Sequence, residues 1–171
     1  MFSKTGIEKY FLAEKNATLF FLVLGIVSIA AAVILYFVMK TSWHKGFAIP
    51  LLVIGLLQGI VGYTVYKRCD ADRKKNVYAF DMSPQLLKNQ ELPRMEKVSK
   101  NFSLYMWAEI LLLLAGIGLY VYARNNDARI FWSGFGLALA LQALISLGFD
   151  YFAQQRAKLY TKGLVDFSKT I

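Results

Sequence analysis

The chain has 171 residues, of which 57% are hydrophobic and 15% aromatic, and its formal net charge is +9. This apolar content exceeds the about 45 to 50% usual in soluble domains and excludes an ordinary soluble fold. The single cysteine, Cys69, excludes an intrachain disulfide, a CxxC redox pair and a thiolate zinc site. The single histidine, His44, is interpreted as a loop residue, so we expect neither a metal site nor a cofactor.

The apolar residues are concentrated in four stretches. They lie at 16–39, 46–66, 101–123 and 130–149. Each is long enough to cross a hydrocarbon layer of about 30 Å at about 1.5 Å per residue. The first stretch continues past Ala32 to Met39, beyond the roughly 7 to 15 apolar residues of a signal peptide. The pattern predicts an all-α membrane protein built as a bundle of four transmembrane helices.

The basic residues predict the orientation of these spans. Lys and Arg number three before the first span, nine between the second and third, and four after the fourth, against four in the two short connections. Because positive charge is retained on the cytoplasmic side, both termini should be cytoplasmic in a cell membrane, with a bacterial inner membrane favoured. The net charge then indicates contact with anionic headgroups of the bilayer, and no pattern indicates nucleic acid.

The segment between the second and third spans is too long for a simple turn. It divides the chain into three predicted regions. Residues 1–66 form a first transmembrane hairpin with an N-terminal interfacial segment, 67–100 a basic cytoplasmic connection, and 101–171 a second hairpin with a cytoplasmic C-terminal helix extension. Prolines at 84 and 93 mark helix starts, so the connection should be partly helical. We expect helices to extend beyond the spans into the cytoplasm as a small bundle.

A weak internal repeat relates the two hairpins. A shift of 84 residues superimposes them without a gap and places Gln58 on Gln142. Because each hairpin enters and leaves on one side, the halves would be parallel repeats, an arrangement that some transporters use. The sequence therefore predicts two pseudo-repeated helical hairpins.

Polar residues inside the spans are the sharpest candidates for function. An ionisable group such as Glu109 costs at least about 2.5 kcal/mol in a spanning helix. We expect Glu109, Gln58 and Gln142 to converge in the bundle interior, with Tyr105 and Ser146 on the same polar lines. Two interpretations stay open: hydrogen bonds that hold the helices together, or a proton or cation site.

Small residues are the candidates for helix packing, and basic residues are the candidates for contact with lipid or a partner. The residues predicted for helix packing are Gly55, Gly59, Gly25 and Gly116. A homodimer through the GxxxG of Gly55 and Gly59 is the alternative use of that motif. The residues predicted to contact lipid or a partner on the cytoplasmic side are Lys67, Arg68, Arg73, Lys74, Lys75 and Arg94.

These features favour a non-enzymatic inner-membrane protein whose cytoplasmic face engages a partner protein or anionic lipid. An accessory subunit or an immunity-type protein would have this role. The predicted partner is another protein or a further copy of this chain in a homo-oligomer. The alternative is a small proton-coupled transporter or channel that uses Glu109. An enzyme is the third hypothesis, because no constellation of catalytic residues is recognisable.

Overall fold

The computed structural model of this protein describes residues 2–170, and all of its regular structure in that range is helical. The elements are α1 (Lys4–Ile34, extended by a π-helical turn, Leu35–Met39), α2 (Ser42–Met82), a short α3 (Pro84–Leu86) with a π-helical turn (Leu87–Glu91), α4 (Leu92–Ala123), a 3₁₀ turn (Asp127–Arg129) and α5 (Ile130–Ser168). Four of these helices are long and apolar enough to cross a membrane. The predicted all-α class and the four apolar helices are therefore confirmed.

Polar side chains cap the N-termini of α1 and α2. Ser3 accepts a hydrogen bond from the backbone N–H of Gly6 at 3.2 Å, and Thr41 accepts one from that of His44 at 3.3 Å. Lys40 has a left-handed φ of 57°, which turns the chain sharply between α1 and α2. The interpretation of His44 as a loop residue is therefore wrong, because His44 belongs to the first turn of α2.

The helices pack as two hairpins joined through their second members. α1 packs mainly on α2, α4 packs mainly on α5, and the hairpins meet where α2 contacts α5. α1 also touches α5, so α2 and α5 are central and α1 and α4 flank them. Consequently α4 is exposed over most of its apolar stretch.

Each long helix extends well beyond its apolar stretch. α2 has 41 residues and is about 60 Å long, twice the thickness of a hydrocarbon layer. We call the four apolar stretches together the apolar layer. The parts of the chain at 2–15, 67–100 and 150–170, which lie beyond one side of it, are called the head.

The head has a hydrophobic core of its own. Every long helix and the α3 connection contribute to it, so it resembles the core of a small soluble helical domain. Its buried members are Ile7, Tyr10, Phe11, Ala79, Leu87, Met95, Ala157, Tyr160 and Leu164. Tyr10 and Tyr160 stack with their ring centroids 4.2 Å apart, which ties the two ends of the chain together.

Glycine brings α2 and α5 into backbone contact near the end opposite the head. A Cβ added at Gly46 would collide with the backbone carbonyl of Phe131, and one added at Gly134 would collide with that of Trp43. Small residues at such crossings allow the helix axes to approach closely. This contact fixes how the two hairpins are joined.

Candidate functional site

The apolar layer contains a hydrogen-bonded polar centre, formed by Ser28, Gln58, Gln142 and Ser146. The Gln58 amide N–H groups donate to Gln142 Oε1 at 3.2 Å and to Ser146 Oγ at 3.1 Å. The Gln142 amide donates to Ser28 Oγ at 2.8 Å. The four side chains are buried, with Gln58 and Gln142 each only 2% exposed. The polar centre joins α1, α2 and α5 at the middle of their apolar stretches.

One acceptor of the polar centre has no partner among the described residues. Gln58 Oε1 is buried and accepts no hydrogen bond. The position on α4 that matches Ser28 under the shift of 84 residues is Leu112, which offers no hydroxyl. The second hairpin therefore lacks the counterpart of the Ser28 contact. That contact would accept from the Gln58 amide N–H groups, which already donate to Gln142 and Ser146, so its absence does not account for the unpartnered Oε1.

Glu109 lies apart from the hydrogen bonds of the polar centre. Its Oε2 atom is buried and has no hydrogen-bond partner within residues 2–170, so neither glutamine bonds to that atom. Asp150 of α5 is close enough to act on the Glu109 carboxyl electrostatically. The structure thus joins the two glutamines and Ser146, and places Glu109 at the contact between α4 and α5. Tyr105, one turn before Glu109, is 51% exposed, unlike the buried side chains of the polar centre.

The predicted packing glycines have different surroundings. A Cβ on Gly25 would approach Gly55 O and Gly59 N to 2.7 Å, so the GxxxG of α2 packs against α1 within the chain. Gly116 has the same role between α4 and α5, where a Cβ would lie 2.6 Å from Ala140 N. Gly59 has open space beside its own Cα, since a Cβ there would meet nothing within 4 Å.

Most of the basic residues predicted to contact lipid or a partner are engaged within the head. Arg68 pairs with Asp72 at 3.9 Å, Arg73 with Asp70 at 3.6 Å, and Lys75 donates to Gln90 at 2.9 Å. Lys67 lies over the ring of Tyr63, and Arg94 is part of an inner ion pair. Lys74, by contrast, is exposed and makes no ion pair in the described part of the chain.

That inner ion pair is bidentate. Arg94 donates to both carboxylate oxygens of Glu91, at 2.8 and 2.7 Å, and Glu91 is only 5% exposed. Burial raises the pKa of the nearby Glu14 carboxyl, an effect that the Tyr10 hydroxyl and the Arg94 charge reduce. Burial also raises the pKa of the Cys69 thiol to about 12, which keeps this thiol protonated and unreactive at neutral pH.

A groove of about 450 Å³ runs along the head between α1 and α5. Its lining includes the aromatic pair Tyr10 and Tyr160 and two cations, Lys9 and Arg156. Neither cation makes an ion pair within residues 2–170. The sequence analysis did not predict this head groove, because the residues of α1 and α5 that form it lie near opposite ends of the chain and no local pattern links them.

The fold and its polar features define an all-helical chain with four helices suited to a membrane, a glutamine and serine centre in the apolar layer, and a separate helical head. Comparisons with protein-family models, curated proteins and solved structures give no match for this chain.

Proposed function

We propose that this is a non-enzymatic inner-membrane protein, with both termini cytoplasmic, whose cytoplasmic face engages a partner protein or anionic lipid. An accessory subunit and an immunity-type protein are the roles that fit this description. The distribution of Lys and Arg supports the orientation, because 16 of the 20 lie on the head side of the apolar layer. The head is then the cytoplasmic face.

The observation that carries this proposal is the surface of the head. It has a folded core of its own and a set of exposed or half-exposed cations that make neither an ion pair nor a side-chain hydrogen bond in the described chain. These cations are Lys9, Lys67, Lys74, Lys88, Lys97, Lys100, Arg156, Lys158 and Lys162. These cations outnumber Glu8 and Glu96, exposed acids of the head that also make no ion pair in the described chain. An excess of charge of one sign steers association with an oppositely charged partner.

The first prediction concerns four of these cations at once. We expect replacement of Lys88, Lys97, Lys158 and Lys162 by Gln to remove the partner that copurifies with the wild-type chain from its native membranes. These side chains make no ion pair in residues 2–170, so the fold should persist. Quantitative mass spectrometry of affinity-purified wild type and variant measures the loss.

The matched control changes two cations on the other side of the apolar layer, Lys45→Gln with Arg124→Gln. This variant should keep the wild-type partners. An unchanged set of partners in the fourfold head variant would contradict the proposal. Deleting residues 67–100 is a poorer test, because this segment supplies Ala79, Leu87 and Met95 to the core of the head.

A proton-coupled transporter or channel is the second candidate. The observation that favours it is the buried, unpartnered carboxylate oxygen of Glu109, since an ionisable group inside a spanning helix is energetically costly and such groups mark ion or proton pathways. The polar centre provides less support. Its hydrogen bonds join helices of both hairpins and are of the kind worth about 0.6 to 2 kcal/mol as structural contacts.

The second prediction tests that candidate. If Glu109 carries protons, Glu109→Gln should abolish pH-driven flux in liposomes, because the amide cannot release a proton. Flux is followed with a dye that reports the internal pH, and far-UV circular dichroism shows that the variant is folded. Tyr105→Phe, on an exposed face of the same helix, is the control and should transport normally. A silent wild type, or an active Glu109→Gln variant, rules the transporter out.

A further inference from the structure

The lining of the head groove forms two facing stripes, one on each helix. The stripe on α1 has positions 2, 3, 6, 9, 10 and 13, and the stripe on α5 has positions 156, 159, 160, 163 and 166. Spacings of mostly three and four place each set on one face of its helix, over about 15 Å or three turns. A groove of this length between two helices suits one face of a third helix, whose anchors recur at i, i+3, i+4 and i+7.

Small side chains leave the groove open. Ser3, Gly6 and Ala13 belong to the α1 stripe, and Gly163 belongs to the α5 stripe. Among the described residues, a Cβ added at Gly6 would meet only Ser3 Oγ, at 3.5 Å, so no other part of the chain fills the space beside it. Because the distance between packed helices depends on the side chains at their contact, a third helix can approach α1 closely here.

The charge of the groove is positive at the end near the apolar layer. Lys9 and Arg156 line that end and make neither an ion pair nor a side-chain hydrogen bond in residues 2–170. The one acid in the described lining, Asp166, lies at the far end and pairs with Lys169 at 3.9 Å. Glu8, next to Lys9 in the chain, does not line the groove. A complementary occupant therefore carries Asp or Glu at the end near the apolar layer.

If the chain spans a membrane, the groove lies beyond the lipid headgroups. Lys9 is seven residues before Asn16, where the first apolar stretch begins, which is about 10 Å along α1. Leu159 is ten residues after Phe149, where the last stretch ends, which is about 15 Å along α5. The headgroup region occupies only roughly 5 to 7 Å on each side of the hydrocarbon core. The Leu159 side chain, 74% exposed, therefore faces water, where a protein segment can cover it and the bilayer cannot.

We propose that the head groove binds an acidic amphipathic helix of a partner protein. Apolar residues of that helix contact Leu159 and Phe2, and its Asp or Glu residues pair with Lys9 and Arg156. The inference rests on the proposed function, and it names the site and the chemistry of the partner.

Two other occupants fit the groove less well. A free inorganic anion would use the two cations and leave the rest of the groove empty. A second copy of the chain would bring its own head, whose unpaired cations repel those of the first. The acidic helix uses both the charge and the length of the groove.

The test places the photocrosslinking amino acid p-benzoylphenylalanine at position 159 of the full chain, followed by irradiation of native membranes. Tandem mass spectrometry of the cross-linked peptides identifies the segment that lay against the groove. We expect a segment of another protein with apolar residues at helical spacing and with Asp or Glu beside them. The matched control carries the same amino acid at position 78, because Tyr78 is a 62% exposed residue of the head outside the groove. The control should not cross-link to that segment.

Several results would overturn the proposal. They are cross-links from position 159 to a second copy of the chain, to lipid alone, or to a segment that is basic or lacks helical apolar spacing. A yield at position 159 no higher than at position 78 would overturn it equally.

The cross-linked segment, made as a synthetic peptide, then gives a quantitative test with the full chain in detergent. Lys9→Gln with Arg156→Gln should weaken its binding about tenfold, the effect of losing two partly exposed charge pairs. Gly6→Leu, which fills the groove, should weaken binding at least tenfold and melt no lower than wild type, since leucine is the better helix former.

The matched control for charge is Lys67→Gln with Lys74→Gln, which removes the same charge from exposed positions of α2 outside the groove. It should change binding less than threefold. Equal weakening in the two double variants would assign the effect to diffuse charge and overturn the site, as would wild-type affinity in Gly6→Leu.

The two proposals fail separately. The fourfold head variant leaves the groove intact, and the groove variants leave those four lysines intact. If the fourfold variant loses its partner from native membranes while the groove variants keep theirs, the groove proposal is overturned and the proposed function stands. If all of these variants keep the wild-type partners, both proposals are wrong.

Discussion

Adding one methyl group at Gly46 or at Gly134 should be the most damaging single change in the apolar part of the chain. The new Cβ would collide with a backbone carbonyl of the facing helix, at Phe131 or Trp43 respectively. A backbone group in a helix cannot rotate aside as a side chain can. Overpacking of this kind costs about 1 to 3 kcal/mol and occasionally more, and here it separates the two hairpins. We therefore expect Gly46→Ala and Gly134→Ala to unfold at clearly lower temperature than wild type in detergent micelles.

The controls are glycines with free space around them. A Cβ at Gly118 or Gly148 meets nothing within 4 Å, and alanine is the better helix former by up to about 1 kcal/mol. Gly118→Ala and Gly148→Ala should therefore melt at or above the wild-type temperature. Because Gly46 and Gly134 share one crossing, the double variant should lose less stability than the sum of the single variants. Equal melting temperatures for Gly46→Ala and Gly118→Ala would refute the assigned contact.

The sequence was sufficient to predict the helical class because the relevant signal is local. Uninterrupted apolar stretches such as 16–39 are typical of a buried or membrane-spanning helix, and the prolines at 84 and 93 mark helix starts. The pairing of Gln58 with Gln142 was also accessible, since both occupy the middle of a hairpin's second helix. The apolar stretches and the equivalent positions of the two glutamines can both be recognised in the sequence without knowledge of tertiary contacts.

The remaining features depend on which helices touch. Whether Glu109 bonds to the glutamines depends on how α4 is placed, and α4 packs mainly on α5. Likewise, no sequence motif around Gly46 indicates that another helix crosses there. The GxxxG motif of Gly55 and Gly59 can be recognised in the sequence, and in the structure it packs on α1. The repeat of two hairpins and the homodimer stay predictions.

The unpaired cations of the head illustrate the same limit. The sequence analysis selected the densest basic runs, including Arg68, Arg73 and Lys75. In the structure the two arginines pair with aspartates of the same run, and Lys75 donates a hydrogen bond to Gln90. Isolated residues such as Lys9 and Arg156 make no ion pair in the described part of the chain. Charge density along a chain therefore identifies a charged region, but availability for binding depends on tertiary contacts.

The second large effect is expected in the head, at the buried ion pair. Arg94→Met keeps an unbranched apolar stem but leaves Glu91, whose side chain is 6% exposed, without its bidentate partner. Breaking a buried pair by removing one member costs about 3 to 5 kcal/mol. We expect a loss near 3 kcal/mol, because the Arg94 side chain is 27% exposed and water partly replaces its interactions. Equilibrium unfolding in a mild detergent measures the change.

A double-variant cycle separates the ion pair from simple packing. Adding Glu91→Gln to Arg94→Met removes the uncompensated charge, so the double variant should recover at least half of the lost stability. Arg73→Met is the matched control, since its pair with Asp70 is 3.6 Å long and more exposed, and it should cost no more than about 1 kcal/mol. If Arg94→Met and Arg73→Met are equally mild, the Glu91 pair is not structural. A loss confined to Arg94→Met would instead show that the head is held together by a fixed inner charge, which leaves its surface cations free to bind.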